Sequence, residues 1–386
     1  MNWKHVSLGE ISVNIQTGPF GSQLHQSDYS EKGTPVVMPK DLISGHISEE
    51  SIARVSDDHV ERLSRHKIKV GDILYSRRGD VGRCAFASET EAGWLCGTGC
   101  LRVTIDTDKA NPKFVFYQLQ KADTSGWVEK HAVGATMLNL NTSILSSVPI
   151  DLPSHDEQNH IVGVLSAYDD LIENNQKQIK LLEEAAQRLY KEWFIDLRFP
   201  GHETTPIVDG APEGWKKVEV GTCIAKVART KQVMTAELLE VGKIPVVDQS
   251  RNFIAGYTND EETVVDLGIP IIVFGDHTRV LKYIQFPFAK GADGTQLIVT
   301  TNEKMPQSLL YCSLVNVDLS NYHYARHFKY LKAEEILLPS LDVAHQFDGV
   351  VSPLFEQVQK LRDKCKLAAE ARDRLLPKLM SGEIEV

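Results

Sequence analysis

The sequence predicts an α+β protein in which two β-rich globules alternate with two long helices. Apolar residues follow one helical spacing in residues 154–194 and repeat it 186 residues later in residues 340–380. The segments before each helix contain short apolar runs between turn signals, which favour strands. The opening residues 3–9 (WKHVSLG) also return in similar form at residues 215–221 (WKKVEVG). The order globule, helix, globule, helix indicates an internal duplication.

Each helix carries a seam, the set of residues that recur at alternating steps of four and three and therefore stay on one helix face. The first seam is Ile161, Leu165, Tyr168, Ile172, Asn175, Ile179, Leu182, Ala186, Leu189 and Trp193. The second seam is Phe347, Val351, Leu354, Val358, Leu361, Cys365, Ala368, Arg372, Leu375 and Leu379. A single stripe of this kind is more often ordinary core, but a matched pair in one register favours two helices packed together.

Apolar seam positions are the candidate coiled-coil and partner contacts. They are Ile161, Leu165, Ile172, Ile179, Leu182, Leu189, Phe347, Val351, Leu354, Val358, Leu361 and Leu375. Ser154 with Glu157 forms a capping-box start for the first helix, and Ser381-Gly382 is a stop signal for the second. We therefore predict helices over 155–194 and 341–379, and four segments: 1–153, 154–200, 201–339 and 340–386.

Composition is that of a soluble globular protein with two or three domains, since the chain has 386 residues, 42% of them hydrophobic and 24% charged. The net charge of -10 argues against binding nucleic acid by bulk charge, but it leaves room for a local basic groove. The six cysteines show no C-x-x-C pair, which favours reduced thiols and a cytoplasmic protein. No segment has the length and hydrophobicity of a membrane span.

Short apolar runs give the predicted elements of the globules. In the first globule, strands are expected at Val6–Gly9, Thr34–Pro39, Gly71–Tyr75 and Cys100–Ile105, and a helix at Asn111–Leu119. In the second globule, strands are expected at Ile244–Val247, Ile269–Phe274 and Gln296–Val299, and a helix at Gln307–Leu314.

Catalytic motifs are missing from the sequence. There is no phosphate-binding P-loop, no H-E-x-x-H pair and no Asn-Pro-Pro-Tyr-type motif of base methylation. Gly97-Thr98-Gly99 resembles neither a phosphate loop nor a complete dinucleotide fingerprint. The chain is therefore predicted not to be an enzyme by itself, and to hold no metal or cofactor.

Polar loops after the predicted strands carry side chains of the types that proteins use to read DNA bases. Arginine pairs with guanine and Asn or Gln with adenine, while glycine allows close approach of the backbone. Residues 77–83 (RRGDVGR) and 248–250 (DQS) have these residue types. Each loop is equally compatible with a solvated turn. Two divergent globules that both read DNA would each read a different half of an asymmetric target.

The helices are long enough to space two such sites. From Ile161 to Trp193 a continuous helix would extend about 48 Å, more than the ~34 Å of one duplex turn. An antiparallel pair would place each globule at the start of its own helix and give a closed pseudo-twofold arrangement, which we favour. A parallel pair of helices is also sterically allowed, because ~20 extended residues after Ile195 could reach back along the helices.

Taken in order, these segments resemble the specificity (S) subunit of type I restriction-modification systems over essentially the whole chain. The resemblance rests on the segments that begin at Trp3 and Trp215, on Gly18–Ser22, Gly71–Gly79 and Pro245–Ser250, on Pro153 with Gln158, and on the final segment Arg374–Ile384. The resemblance implies two target-recognition domains and an antiparallel coiled coil that sets a nonspecific spacer. It also implies double-stranded DNA, two modification subunits and restriction subunits as partners. S-adenosylmethionine, ATP and magnesium would belong to those partners.

Loop positions that face DNA in this family are carried over as the candidate DNA-binding residues. They are Thr17, Gly18, Phe20, Gly21, Ser22, Lys40, Arg77, Arg78, Gly79, Arg83, Asp248, Gln249, Ser250, Asp276, His277, Arg279 and Lys290. Two other readings stay open on the residues alone. One is an enzyme with an unrecognised active site in a globule, and the other is a coiled-coil scaffold whose globules bind proteins.

Overall fold

A computed structural model describes residues 3–134, 137–228, 230–322 and 326–385, except for the Lys226 side chain. These residues form two compact units. The first unit comprises the chain up to Ile172 together with the part from Leu367 onward, and the second unit is Glu173–Lys366. The division into segments 1–153, 154–200, 201–339 and 340–386 stays a prediction.

The first unit contains short strands followed by helices. Its strands are β1 (Lys4–Ser7), β2 (Ser12–Thr17), β3 (Tyr29–Ser30), β4 (Thr34–Val37), β5 (Leu42–Ile43), β6 (His46–Ile47), β7 (Ala53–Val55), β8 (Ile73–Ser76), β9 (Cys84–Phe86), β10 (Leu95–Cys96), β11 (Cys100–Ile105) and β12 (Pro149–Leu152). Its shorter helices are α1 (Asp57–Arg62), α2 (Pro112–Leu119), α3 (Ala122–His131) and α4 (Thr142–Ser146). The long helix α5 (His155–Tyr190) begins in this unit.

The second unit repeats this plan. Its strands are β13 (Ile207–Val208), β14 (Ala211–Pro212), β15 (Lys216–Glu219), β16 (Ile224–Lys226), β17 (Ile244–Val247), β18 (Gly256–Thr258), β19 (Val264–Val265), β20 (Ile271–Gly275), β21 (Leu281–Ile284), β22 (Phe288–Lys290), β23 (Thr295–Thr300) and β24 (Glu335–Leu338). Its shorter helices are α6 (Val220–Cys223), α7 (Gln307–Val315) and α8 (Phe328–Ala333). The long helix α9 (Leu341–Met380) begins here.

One four-stranded sheet has the same strand order in the two units. The order β2-β11-β8-β9 in the first corresponds to β16-β23-β20-β21 in the second, with antiparallel neighbours throughout. A second sheet contains one parallel pair in each unit, β10 with β4 and β22 with β17. The opening strands β1 and β15 pair with β12 and β24, which directly precede the long helices. The two units therefore share the strand order of one sheet and the pairing of their opening strands.

Most predicted elements of the globules form with small shifts at their ends. Strands β11 and β17 have the predicted bounds, and α2 begins where Asn111 accepts hydrogen bonds from the amides of Lys113 and Phe114. Helix α3 had no counterpart among the expectations. Its sequence ADTSGWVEKH contains glycine and serine and lacks a clear apolar stripe, so the sequence pattern did not predict a helix there.

Both long helices begin at a serine cap. The Glu157 amide donates to Ser154 Oγ at 3.3 Å, and the Val343 amide donates to Ser340 Oγ at 3.4 Å. The Glu157 carboxylate accepts a hydrogen bond from Trp3 Nε1 at 3.2 Å, so it ties the opening tryptophan to the helix start. The first helix differs from the prediction at its end, because Lys191–Ile195 is a π-helical turn. The second ends before Gly382, whose φ is +71°.

Burial along the helices follows the predicted seams. Every seam residue is buried or half-buried, whereas three leucines that lie off the seams, Leu171, Leu181 and Leu367, are exposed. In the first unit, Ile161 and Leu165 share an apolar cluster with Leu379 and Met380. The spacing of apolar residues therefore identified the buried face correctly.

The charged seam residue Arg372 has a buried partner in the first unit. Its Nη1 lies 2.8 Å from Asp169 Oδ1, and the Tyr117 hydroxyl donates to Asp169 Oδ2 at 2.5 Å. Asp169 is 9% exposed at its side chain. Burial and this carboxylate raise the pKa of Tyr117, so the phenol stays a hydrogen-bond donor. Arg372 thus neutralises a carboxylate inside the helix contact.

Replacing Arg372 by methionine is expected to lower the free energy of unfolding by about 2 kcal/mol. Asp169 would keep only Tyr117 and Lys113, whose Nζ is 4.0 Å from Asp169 Oδ2. Urea denaturation of the full chain measures the change. Arg374→Met removes an exposed charge from the same helix and should cost less than about 0.5 kcal/mol. Equal stability of the Arg372 variant and the unmodified chain would contradict the expectation.

Candidate nucleic-acid interface

Loops that follow four strands meet in the first unit. The Gly97 amide donates to Val37 O at 2.8 Å, the Arg77 amide to Gly99 O at 2.9 Å, and the Gly18 amide to Cys100 O at 2.9 Å. We call residues 17–22, 38–41, 77–83 and 97–99 the first loop cluster. It gathers the predicted residues of the first globule, which are up to 66 positions apart in the sequence (Thr17 to Arg83), into one part of the unit.

Glycine makes this close approach of backbones possible. A Cβ on Gly18 would lie 1.8 Å from Gly97 O, and a Cβ on Gly97 would lie 2.5 Å from Val37 O. Both distances are far below van der Waals contact. The sequence motif Gly97-Thr98-Gly99 therefore belongs to the loop cluster, a role that motif comparison alone missed.

Cationic side chains dominate the first loop cluster. Arg78, Arg83 and Lys40 are exposed, and Arg77 is half-buried with its guanidinium 5.9 Å from the centre of the Phe20 ring. Phe20 is itself 52% exposed. Arg83 Nε lies 2.6 Å from Asp80 Oδ2, while Lys40 Nζ donates to Ser51 O at 2.7 Å. The exposed guanidinium groups of Arg78 and Arg83 fit both phosphate and base contacts, and Arg77 lies beside the exposed Phe20 ring.

The other predicted residues of the first unit form the backbone of the loops that carry these cations. Gly21 and Ser22 are exposed next to Phe20, Thr17 ends β2, and Gly79 has a φ of +78°. The Gly79 amide donates to Leu138 O at 3.1 Å, which fixes the turn between Arg78 and Arg83. The arginines are thus held on a defined turn.

The second unit builds an equivalent cluster with different side chains. The Gly291 amide donates to Val247 O at 2.9 Å and the Asp276 amide donates to Gly294 O at 2.7 Å, as Gly97 and Arg77 do in the first unit. We call residues 248–252, 276–279 and 290–294 the second loop cluster. The glycine loop is one residue longer here, GADG in place of GTG between equivalent strand ends. The same backbone frame therefore presents a different surface.

Gln249 joins the loops of the second cluster. Its Nε2 donates to Asp293 O at 3.0 Å, its Oε1 accepts from the His277 amide at 3.1 Å, and its main-chain O accepts from Thr278 Oγ1 at 2.6 Å. His277 and Arg279 are exposed, and Arg279 Nη2 donates to Tyr322 O at 2.9 Å. These exposed groups form the accessible part of the cluster.

Two predicted acidic residues have internal contacts. Asp276 is 7% exposed, and its Oδ1 accepts a hydrogen bond from the Phe328 amide at the start of α8, at 2.7 Å. Asp248 accepts from the Ser250 amide at 2.9 Å and from Ser250 Oγ at 2.5 Å. Lys290 is half-buried at the end of β22. These contacts shape the loops, and a direct contact of the three residues with DNA stays a prediction.

Buried ion pairs in the two units were missed by sequence reasoning. In the first unit Arg102 Nε lies 3.5 Å from Asp72 Oδ2; in the second Lys282 Nζ lies 3.7 Å from Asp248 Oδ1. Arg102, Asp72 and Lys282 are at most 6% exposed at their side chains. Burial lowers the pKa of Lys282, and Asp248 opposes that effect. Only the position of Arg102 and Lys282 within short apolar strands could have signalled these buried charges.

No metal-binding arrangement and no membrane-spanning helix occurs among the described residues. Groups of three or more His, Cys, Asp or Glu side chains that could hold a metal ion are not found there. Within the same residues, no helix combines the length and hydrophobicity needed to cross a membrane.

Comparison with known proteins relates this chain to a family. Residues 1–184 match the family model described as "Type I restriction modification DNA specificity domain". The chain is 28% identical to the MjaIX type I restriction enzyme specificity subunit of Methanocaldococcus jannaschii, covering 91% of this chain and 87% of that protein. It is 23% identical to the HindI specificity subunit of Haemophilus influenzae, covering 99% and 100%.

A solved structure has the same fold. The crystal structure of the type I restriction-modification system S subunit from M. genitalium superimposes with a TM-score of 0.58 and 16% identity, covering 98% of this chain and 96% of that chain. The family model over residues 1–184 and the named relatives indicate a type I restriction-modification DNA specificity subunit. Specificity subunits of type I systems are non-catalytic, so the chain is not an enzyme by itself.

Proposed function

We propose that each loop cluster reads one half of a bipartite, asymmetric DNA site. The observation that carries this proposal is the repeated backbone frame with unlike side chains. Arg77 and Arg78 occupy positions after β8 that Asp276 and His277 occupy after β20. Base recognition depends on donors and acceptors at fixed positions. One backbone frame with different side chains would therefore read two different short base sequences, which we call the two words of the site.

The long helices form an antiparallel coiled coil in this proposal, related by a pseudo-twofold axis. Contacts within the second unit support it, since Glu183 Oε1 lies 2.6 Å from Arg362 Nη2 while Phe194, in the π-helical turn that follows α5, packs on Phe347, earlier in α9. The burial of both seams is a second support. Helices of 36 and 40 residues extend about 54 and 60 Å, enough to set a spacer longer than one duplex turn.

Partners complete the proposed complex. Two modification subunits would dock on the helices, restriction subunits would join them, and the DNA would be double-stranded. S-adenosylmethionine, ATP and magnesium would be bound by those subunits, with none bound by this chain. The buried cysteines Cys84, Cys96, Cys100, Cys223 and Cys312 are free thiols, which supports action in the reducing cytoplasm.

Mapping of methylated bases in cells that carry this chain with its modification subunit tests the proposal. We expect one methylated motif made of two unlike words separated by a spacer of fixed length. The control is a strain with the modification subunit alone, which should methylate no such motif. A single continuous word, or no motif in the presence of both subunits, would refute bipartite reading.

A further inference from the structure

Lys282 is a buried lysine that lies directly beneath the second loop cluster. Its Nζ donates to Asp248 O at 2.8 Å and also to Asn252 O. The side chain is 4% exposed and stands on β21, whose neighbour β20 leads into residues 276–279. One ammonium group thus holds both ends of the turn 248–252.

The first unit has no charge at either equivalent position. Lys282 pairs with Val273 in the second unit, as Ala85 pairs with Leu74 in the first, and Asp248 follows β17 as Met38 follows β4. Ala85 is fully buried and belongs to an apolar cluster. The fold therefore does not require an ion pair here, because the same frame is stable with alanine and methionine.

A buried ammonium group is costly unless its hydrogen bonds are made, and three N–H donors need defined acceptors. Carbonyl oxygens at both ends of one turn supply such acceptors only when that turn has one conformation. The same turn carries Gln249, which contacts Asp293, His277 and Thr278. A fixed turn therefore fixes the arrangement of the whole second loop cluster.

We propose that Lys282 is a positioning residue for specificity, which clamps the turn 248–252 so that the second loop cluster discriminates between bases. This inference rests on the proposed function. Lys282 itself does not touch DNA. Its effect is confined to one word of the site, because Ala85 and Met38 occupy the equivalent positions of the first unit.

The test compares methylation rates of the complete complex, with its modification subunits, on duplexes that carry single base-pair changes in either word. For Lys282→Met we expect the preference for the correct second-unit word to fall at least about tenfold, since a loosened recognition site loses discrimination. Preference within the other word should stay unchanged. The double variant Lys282→Ala with Asp248→Met copies the first unit, so it should regain thermal stability without regaining discrimination.

A matched control removes the other buried ion pair. Asp72→Ile with Arg102→Leu installs the residues found at equivalent positions of the second unit, Ile271 and Leu297. It should alter thermal stability and leave discrimination in both words intact. Equal loss of preference in both words, unchanged preference in Lys282→Met, or restored discrimination in the double variant would overturn the inference. Absence of two words for the unmodified complex would instead refute the proposed function.

Discussion

Deleting one heptad from each long helix, residues 170–176 together with 364–370, is expected to shorten the spacer and leave both words unchanged. Seven residues extend about 10 Å, which corresponds to about 3 base pairs of duplex. The deletion preserves both seams, because Tyr168 then precedes Ile179 by four positions and Leu361 precedes Arg372 by four. Mapping of methylated sites in cells measures the new spacer.

The deletion retains the contacts that hold the helices together in each unit. Asp169 keeps Arg372, and Glu183 keeps Arg362. Three base pairs turn the duplex by about 100°, so methylation at the shortened spacer should be slower than in the unmodified complex. Removing residues 170–176 alone breaks the match between the helices and should abolish methylation. A changed word, or an unchanged spacer in the double deletion, would contradict the proposal that the helices set the length of the spacer.

Exchanging the region Asp41–Thr136 for that of a relative is expected to replace one word of the site and leave the other word and the spacer intact. The region contains Arg77, Arg78, Arg83 and the loop Gly97–Gly99, which supply most of the first loop cluster. Thr136 lies outside the described residues, so the exchange ends beyond α3. Methylated-motif mapping of the chimaera provides the measurement.

Exchange of residues 251–322 is the matched experiment in the second unit. By strand register this range begins at the position equivalent to Asp41, since Asp248 corresponds to Met38. It should replace the opposite word. A chimaera that changes both words, or that keeps both while methylating normally, would show that the words are not assigned one to each unit.

Long periodic segments were the most predictable part of the fold. The seams of α5 and α9 could be located because a buried helix face repeats every three or four residues over five heptads. Strands such as β11 and β17 were found because turn residues bound them on both sides. The π-helical turn at Lys191–Ile195 was not predictable, since its residues continue the seam at Trp193.

The loop clusters could be predicted as regions but not as contacts. Polar residues after strands located residues 77–83 and 248–250, yet only the sheet order brings Gly97 to Val37 and Gly291 to Val247. Lys282 was missed because lysine in a strand is usually exposed, and its burial depends on carbonyl groups from a distant turn. Asp276 looked accessible because the helix that it caps begins 52 residues later.

The two buried ion pairs lie at different positions in the two units, and this difference disfavours the exchange of strands between them. Duplicated domains in one chain risk strand exchange, in which a strand of one copy enters the sheet of the other. If β21 took the place of β9 beside β8, the ammonium of Lys282 would meet Met38 in place of Asp248. Likewise, β23 in place of β11 would leave Asp72 facing Leu297 without its arginine. An unpaired buried charge makes each mispaired sheet unfavourable, so divergence of the cores protects correct folding of the repeat.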